Sequence, residues 1–152
     1  MSKELVHVLR NNIVESIHRG DIVAIDKNNK IIFSEGNKDK RTFWRSAAKP
    51  FQVLPLIKNN GIKKFNLNLK EIALMTASHS GEKKHVKVVE SILKKIDKNL
   101  DDLDCGVSKP MHKKSYIEML KNNIQLTQAN NPCSGKHLNM LAYGIIKKYN
   151  LD

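Results

Sequence analysis

The sequence predicts a mixed α/β protein, more narrowly of α+β type, in which an antiparallel sheet packs with helices. Three observations predict it. Short β-branched runs separated by turn residues fill the first third, apolar residues recur at helical spacing from residue 46 onward, and a 40% apolar content suffices for a core. At 152 residues the chain fits one domain.

Leu5–Arg10 and Ile13–His18 read as strands joined at Asn11-Asn12, a residue pair suited to a tight turn. Gly20 interrupts the pattern before a third strand, Asp21–Asp26. The turn residues 27–30 then lead to a fourth, Ile31–Phe33. The four together predict an antiparallel meander, followed by a polar loop from Gly36 to Lys40. Ala47–Lys58 carries Phe51, Leu54 and Ile57 at near-helical spacing. Pro50 suits its first turn, whereas Pro55 lies deep enough to kink or shorten it. Asn59-Asn60-Gly61 reads as its C-terminal cap. Asn68 followed three residues later by Glu71 predicts a helix start at Leu69. Glu82–Ile96 is strongly amphipathic, with Val86, Val89, Ile92, Leu93 and Ile96 on one face. Ser115–Leu120 and Gly135–Tyr149 complete the helices, the latter with Leu138, Leu141, Ala142, Ile145 and Ile146 as its apolar side.

The net charge of +12 raises the question of a nucleic-acid partner. The excess is 23 lysines against 4 arginines spread along the chain, with few aromatics, so the pattern of a nucleic-acid reader is not met. Abundant Lys, Asn and Ile share AT-rich codons, which accounts for the charge. No apolar run approaches the roughly 20 residues of a membrane span, and the N-terminus lacks the apolar stretch of a signal peptide, so a cytoplasmic protein is expected. Cys105 and Cys133 are expected as free thiols.

Three polar segments lie at helix starts. In Arg45-Ser46-Ala47-Ala48-Lys49-Pro50, Ser46 and Lys49 are three apart and share a helix face. A neutral lysine there can take the serine proton and make a nucleophile. Burial and the positive end of the helix dipole both favour that neutral form. In Thr76-Ala77-Ser78-His79-Ser80-Gly81-Glu82, two hydroxyls flank a histidine. The segment reads as a helix cap, and also as a second nucleophile or proton relay with His79 as an available acid or base. In Asn130-Asn131-Pro132-Cys133-Ser134-Gly135-Lys136-His137, Cys133 and His137 open a helix suited to an anion or a metal, though two ligands are too few for a closed zinc site.

In this order and spacing, R-S-A-A-K-P-F-Q, A-S-H-S-G-E and N-N-P-C-S-G-K-H resemble the rhizobial-type (class 3) L-asparaginases, also called the asparaginase II family. The opening I-V-E-S-I-H-R-G-D-I-V-A-I-D resembles that family's N-terminus. The resemblance implies a fold similar to serine β-lactamases and glutaminases, and hydrolysis of L-asparagine to aspartate and ammonia. It implies two Ser–Lys pairs, the first on Ser46 and Lys49. The second serine maps onto Ser78, with Ser80 as the other candidate. Arg45 and His137 match pocket positions, and Cys133 and Lys136 match two ligands of a zinc that aids substrate binding and is not required for the chemistry. Family members are roughly twice this long. Residues 1–152 are therefore expected to be the N-terminal portion of an asparaginase-like domain, without the second lysine, an acidic residue and a further zinc-ligating cysteine. The expected partner is a small-molecule substrate, with no nucleic acid or membrane. A homodimer or a complementary C-terminal chain is a further expectation. Two alternatives stand beside the asparaginase reading: a folded but inactive fragment or subunit, and another Ser-x-x-Lys acyl enzyme of glutaminase or penicillin-recognising type.

Overall fold

The structure, a computed structural model, describes residues 1–151. Antiparallel strands and helices are both present, in two compact units, Met1–Phe43 and Trp44 onward.

The first unit holds strands β1 (Lys3–Arg10), β2 (Ile13–Gly20), β3 (Ile22–Ile25) and β4 (Ile31–Glu35). β1 and β2 pair antiparallel through Asn11 and Asn12, both at positive φ (47° and 62°), as a tight hairpin turn requires. β3 and β4 pair across a turn in which the Asp26 carboxylate accepts the N–H groups of Asn28 and Lys30. The expected single meander is not formed: the strands make two separate two-stranded sheets. The reason lies at Asp21, between β2 and β3. Its carboxylate accepts from the Asn37 N–H, from Lys40 and from the Ser2 hydroxyl, so the chain turns around this side chain at the point where a third strand would have paired. The Asn37 N–H, with Lys40 and Ser2, lowers the Asp21 pKa to about 2. Gly36 closes the turn at φ 76°, where a Cβ would lie 2.4 Å from Asp21 Oδ1.

The second unit is helical. A 3₁₀ turn at Arg45–Ala48 runs into α1 (Lys49–Gln52), followed by α2 (Leu54–Lys58), α3 (Gly61–Lys64), α4 (Leu69–Met75), α5 (Lys83–Lys95), α6 (Lys113–Lys121) and α7 (Ser134–Lys147). The helix expected over 47–58 is broken at Val53. Pro55 has no N–H to give the preceding turn, so it fits the first turn of a new helix and not the interior of a longer one. The left-handed residue of the expected cap is Asn60 (φ 58°), not Gly61. Gly61 opens α3 instead, packed so closely that a Cβ would meet Leu56 at 2.3 Å.

The cap before Leu69 is as the spacing predicted: Asn68 Oδ1 accepts from the Glu71 N–H, and Glu71 Oε2 accepts from the Asn68 N–H. Val89, Ile92 and Leu93 of α5, with Ile96 just after it, meet Leu74 and Met75 of α4 and Leu138 and Ala142 of α7 in one core. Among the described residues no helix is long and apolar enough to cross a membrane.

Two contacts set the spacing of this core. Glu71 is 1% exposed and binds Lys95 at 2.7 Å and the Ser91 hydroxyl at 2.7 Å, joining α4 to α5. Burial alone would raise its carboxyl. Lys95, the Asn68 N–H and Ser91 outweigh that and hold it below the ordinary value. Gly135, at the start of α7, lies against the end of α4, where a Cβ would be 2.2 Å from the Leu74 carbonyl oxygen.

Glu71→Gln should cost about 2 kcal/mol at neutral pH, because Lys95 and Ser91 lose a charged buried partner. Since folding lowers this carboxyl's pKa, its contribution is present above about 4.5 and lost as pH falls through the folded value. Urea denaturation at pH 7 and pH 3 should therefore show the gap to wild type narrowing in acid. Gly135→Ala should cost about 2–3 kcal/mol in the same measurement, since the added methyl meets backbone.

Candidate functional site

The chain ends of three helices converge within the helical unit. Ser46 stands in the 3₁₀ turn before α1, and Lys49 is the first residue of α1. The Ser78 loop leaves the end of α4 at Thr76, and the Cys133 loop enters α7. Two of these loops are clasped together by polar groups. Asn130 Nδ2 donates to the Gly81 carbonyl, and the His79 N–H donates to the Pro132 carbonyl. Asn131 accepts from the Cys133 N–H at 2.8 Å and donates to the carbonyls of Cys105 and Gly106. Gly81 adopts φ 74° against the Asn130 carbonyl, with no room for a Cβ.

Lys49 is 3% exposed, and its amine lies at the junction of the two loops. Nζ donates to Ser78 Oγ at 2.8 Å, to the Ala77 carbonyl at 3.2 Å and to the Pro132 carbonyl at 3.4 Å, and it lies 3.6 Å from Cys133 Sγ. Ser46 Oγ is 3.0 Å from Ser78 Oγ. The sequence spacing puts Lys49 within reach of Ser46; the hydrogen bond instead goes to Ser78, and Ser46 joins the amine through that second hydroxyl. The acceptors drawing the amine inward lie on the two loops and not on its own helix. The three side chains form a chain Lys49–Ser78–Ser46, with both hydroxyls on the exposed side.

The other candidates divide. Ser80 is turned out of the cluster and donates to Glu82 Oε1 at 2.8 Å. The Arg45 side chain is exposed and makes no hydrogen bond or ion pair among the described residues, but its backbone is left-handed (φ 50°) immediately before Ser46. For an arginine that conformation is strained, and such strain gathers at functional sites. His137 is half-buried one turn along α7 from Cys133. Burial first, and Lys136 second, hold its imidazole below the ordinary value. Cys133 and Lys136 lie one turn apart at the start of α7. As donors they number two, where zinc takes three or four protein ligands. Among the described residues no group of three or more His, Cys, Asp and Glu side chains is arranged for a metal. Cys133 and Lys136 by themselves do not make up a zinc site.

Sequence reasoning offered His79 as an acid or base and assigned nothing to Ser134. His79 is 6% exposed with both ring nitrogens engaged. The Gly81 N–H donates to Nδ1 at 3.1 Å, so Nε2 carries the proton and donates to the buried Ser134 hydroxyl at 2.8 Å. Burial first, then His85 and Lys49, lowers its pKa to about 4. The carbonyls of Ala77 and Pro132 also went unnoticed, since backbone acceptors leave no mark on residue type.

The family model described as L-asparaginase II matches residues 6–152, and the chain belongs to that family. Its members are asparaginase-type amidohydrolases, acting on a small-molecule substrate. No curated protein matches the chain.

His79 holds a proton less readily in the folded chain than in the unfolded one, whose value is near 6.5. Its contribution to stability is full above about pH 6.5 and is lost as pH falls toward 4. A His79→Gln variant should lose less stability across that window than wild type, as read from denaturation midpoints at half-unit intervals of pH.

Proposed function

We propose that this member of the L-asparaginase II family hydrolyses L-asparagine to L-aspartate and ammonia by Ser–Lys acyl transfer, with Ser46 as the nucleophile. The observation that carries the reading is the Lys49–Ser78–Ser46 chain, which supplies a path for one proton. With Lys49 as the free amine, the Ala77 and Pro132 carbonyls take its two N–H groups and its lone pair faces Ser78 Oγ. As Ser46 Oγ bonds to the side-chain carbonyl carbon of asparagine, its proton passes to Ser78 and the Ser78 proton to Lys49. The C–N bond breaks as Lys49 returns the proton through the Ser78 hydroxyl to the departing ammonia. Water then attacks the ester carbon, giving its proton through Ser78 to Lys49. That proton returns through Ser78 to Ser46 Oγ as the C–O bond to the serine breaks and aspartate leaves. The Ser46 N–H, in the first turn of a 3₁₀ segment and so without an intrahelical partner, suits the carbonyl oxygen as it becomes negative.

Arg45 and His137 border this cluster in sequence and fit a role in holding the substrate's α-carboxylate and orienting its amide. Cys133 and Lys136, the zinc ligands that the family resemblance implies, would need further donors to hold a metal.

A second reading is favoured by one observation: Lys49 is a single base shared by two exposed serines. On that reading the chain is a subunit whose full activity requires a complementary polypeptide that supplies another base and excludes water.

Ser46→Ala, Ser78→Ala and Lys49→Met should each lower kcat by about a thousandfold or more, measured as ammonia release from asparagine. An aspartyl ester trapped by acid quench should map to Ser46 by mass spectrometry. An adduct on Ser78, or near wild-type turnover in any of the three variants, would overturn the assignment. Faster turnover of glutamine than asparagine would move the protein to the glutaminase class.

A further inference from the structure

We propose that His79 is a positioning residue for the Lys49–Ser78 contact, a buried imidazole of fixed tautomer that sets the distance between the loop after α4 and the start of α7. The proposal rests on the Ser–Lys reading above and adds to it a side chain that bonds to none of the reacting atoms.

The geometry leaves the ring no free nitrogen. Nδ1 is spent on the Gly81 N–H, within its own loop, and Nε2–H on Ser134, the first residue of α7. One end of the imidazole therefore folds its loop, and the other pins that loop to the helix carrying the Cys133 turn. The main chain repeats the link, since the His79 N–H donates to the Pro132 carbonyl at 3.4 Å. That same carbonyl accepts from Lys49 Nζ at 3.4 Å. Lys49 and the His79 backbone thus hang from one oxygen, and Ser78, the residue before His79, meets the amine at 2.8 Å. If the loop slid on α7, the Lys49–Ser78 contact would lengthen before any core packing broke. A general acid or base must show a nitrogen to substrate; at 6% exposure, with both nitrogens bonded, His79 shows none. Lys49 and the His85 ring, 5.2 Å away centroid to centroid, further disfavour a charge there.

The test compares wild type with His79→Ala and His79→Gln in the full chain, with circular dichroism as the check on folding. The amide N–H of the glutamine reaches the place of Nε2 and can restore the bond to Ser134. His79→Ala should lower kcat about 10- to 100-fold with KM changed by less than about threefold, and His79→Gln should recover kcat to within about threefold of wild type. Wild-type turnover in folded His79→Ala, or a folded His79→Gln no better than alanine, would overturn the proposal. Nitrogen-15 NMR of the wild-type imidazole gives a readout independent of activity. The expected signature is protonated Nε2 and bare Nδ1, unchanged between pH 6 and 8; the opposite tautomer would overturn it. Should wild type release no ammonia, the functional reading fails while the positioning claim stays testable through the reaction of Lys49 with cyanate. Loosened loops should make Lys49 carbamylation at least about fivefold faster in His79→Ala than in wild type, and equal rates would overturn the claim.

Discussion

A primary amine buried to the degree of Lys49 is costly unless its hydrogen bonds are met, and the arrangement of the helical unit follows from meeting them. Its acceptors come from two loops, after α4 and before α7, which are 83 residues from Lys49 at the farther contact. Those loops can converge only because the end of α4 and the start of α7 touch, and they touch because residue 135 has no side chain. The Leu74 carbonyl occupies the space that a Cβ would fill. Core packing, a glycine and a buried amine are therefore linked, and the two serine hydroxyls take their places on the outer side of the result.

The polar clasp around that amine is built largely from amides. Asn130 and Asn131 each bridge backbone groups of separate segments, and Gly81 is pressed against the Asn130 carbonyl. Such bonds have direction as well as strength, so they specify how the loops lie, which apolar contact alone does not. Among the segment's hydroxyls, Ser78 is kept for the lysine and Ser80 is turned to Glu82.

How far these features were legible in the sequence depends on their range. Asn68 with Glu71 was readable because a capping box is a local pattern, and the α5 face was readable because burial follows the helical period. Asn11-Asn12 was readable because few residues accept two successive positive φ values. The meander was not, since the side chain that separates the hairpins, Asp21, finds its partners at residues 2, 37 and 40. The Ser46–Lys49 spacing singled out two side chains that lie in one cluster but not the bond that joins them. Helical spacing says which residues share a face, whereas the amine's first partner lies 29 residues away. The left-handed Arg45 had no signal at all, because arginine is not a residue chosen for that conformation.

Two of the atoms that seat Lys49 are main-chain oxygens, those of Ala77 and Pro132. A carbonyl is present whatever side chain the residue bears, so natural variation at those two positions can proceed without unseating the amine, provided the loop keeps its path. The site's exactness is thus stored in chain trajectory more than in residue identity. Comparison of residue types alone will underestimate which parts of the loops matter, and substitutions that alter backbone freedom will matter more than those that alter polarity.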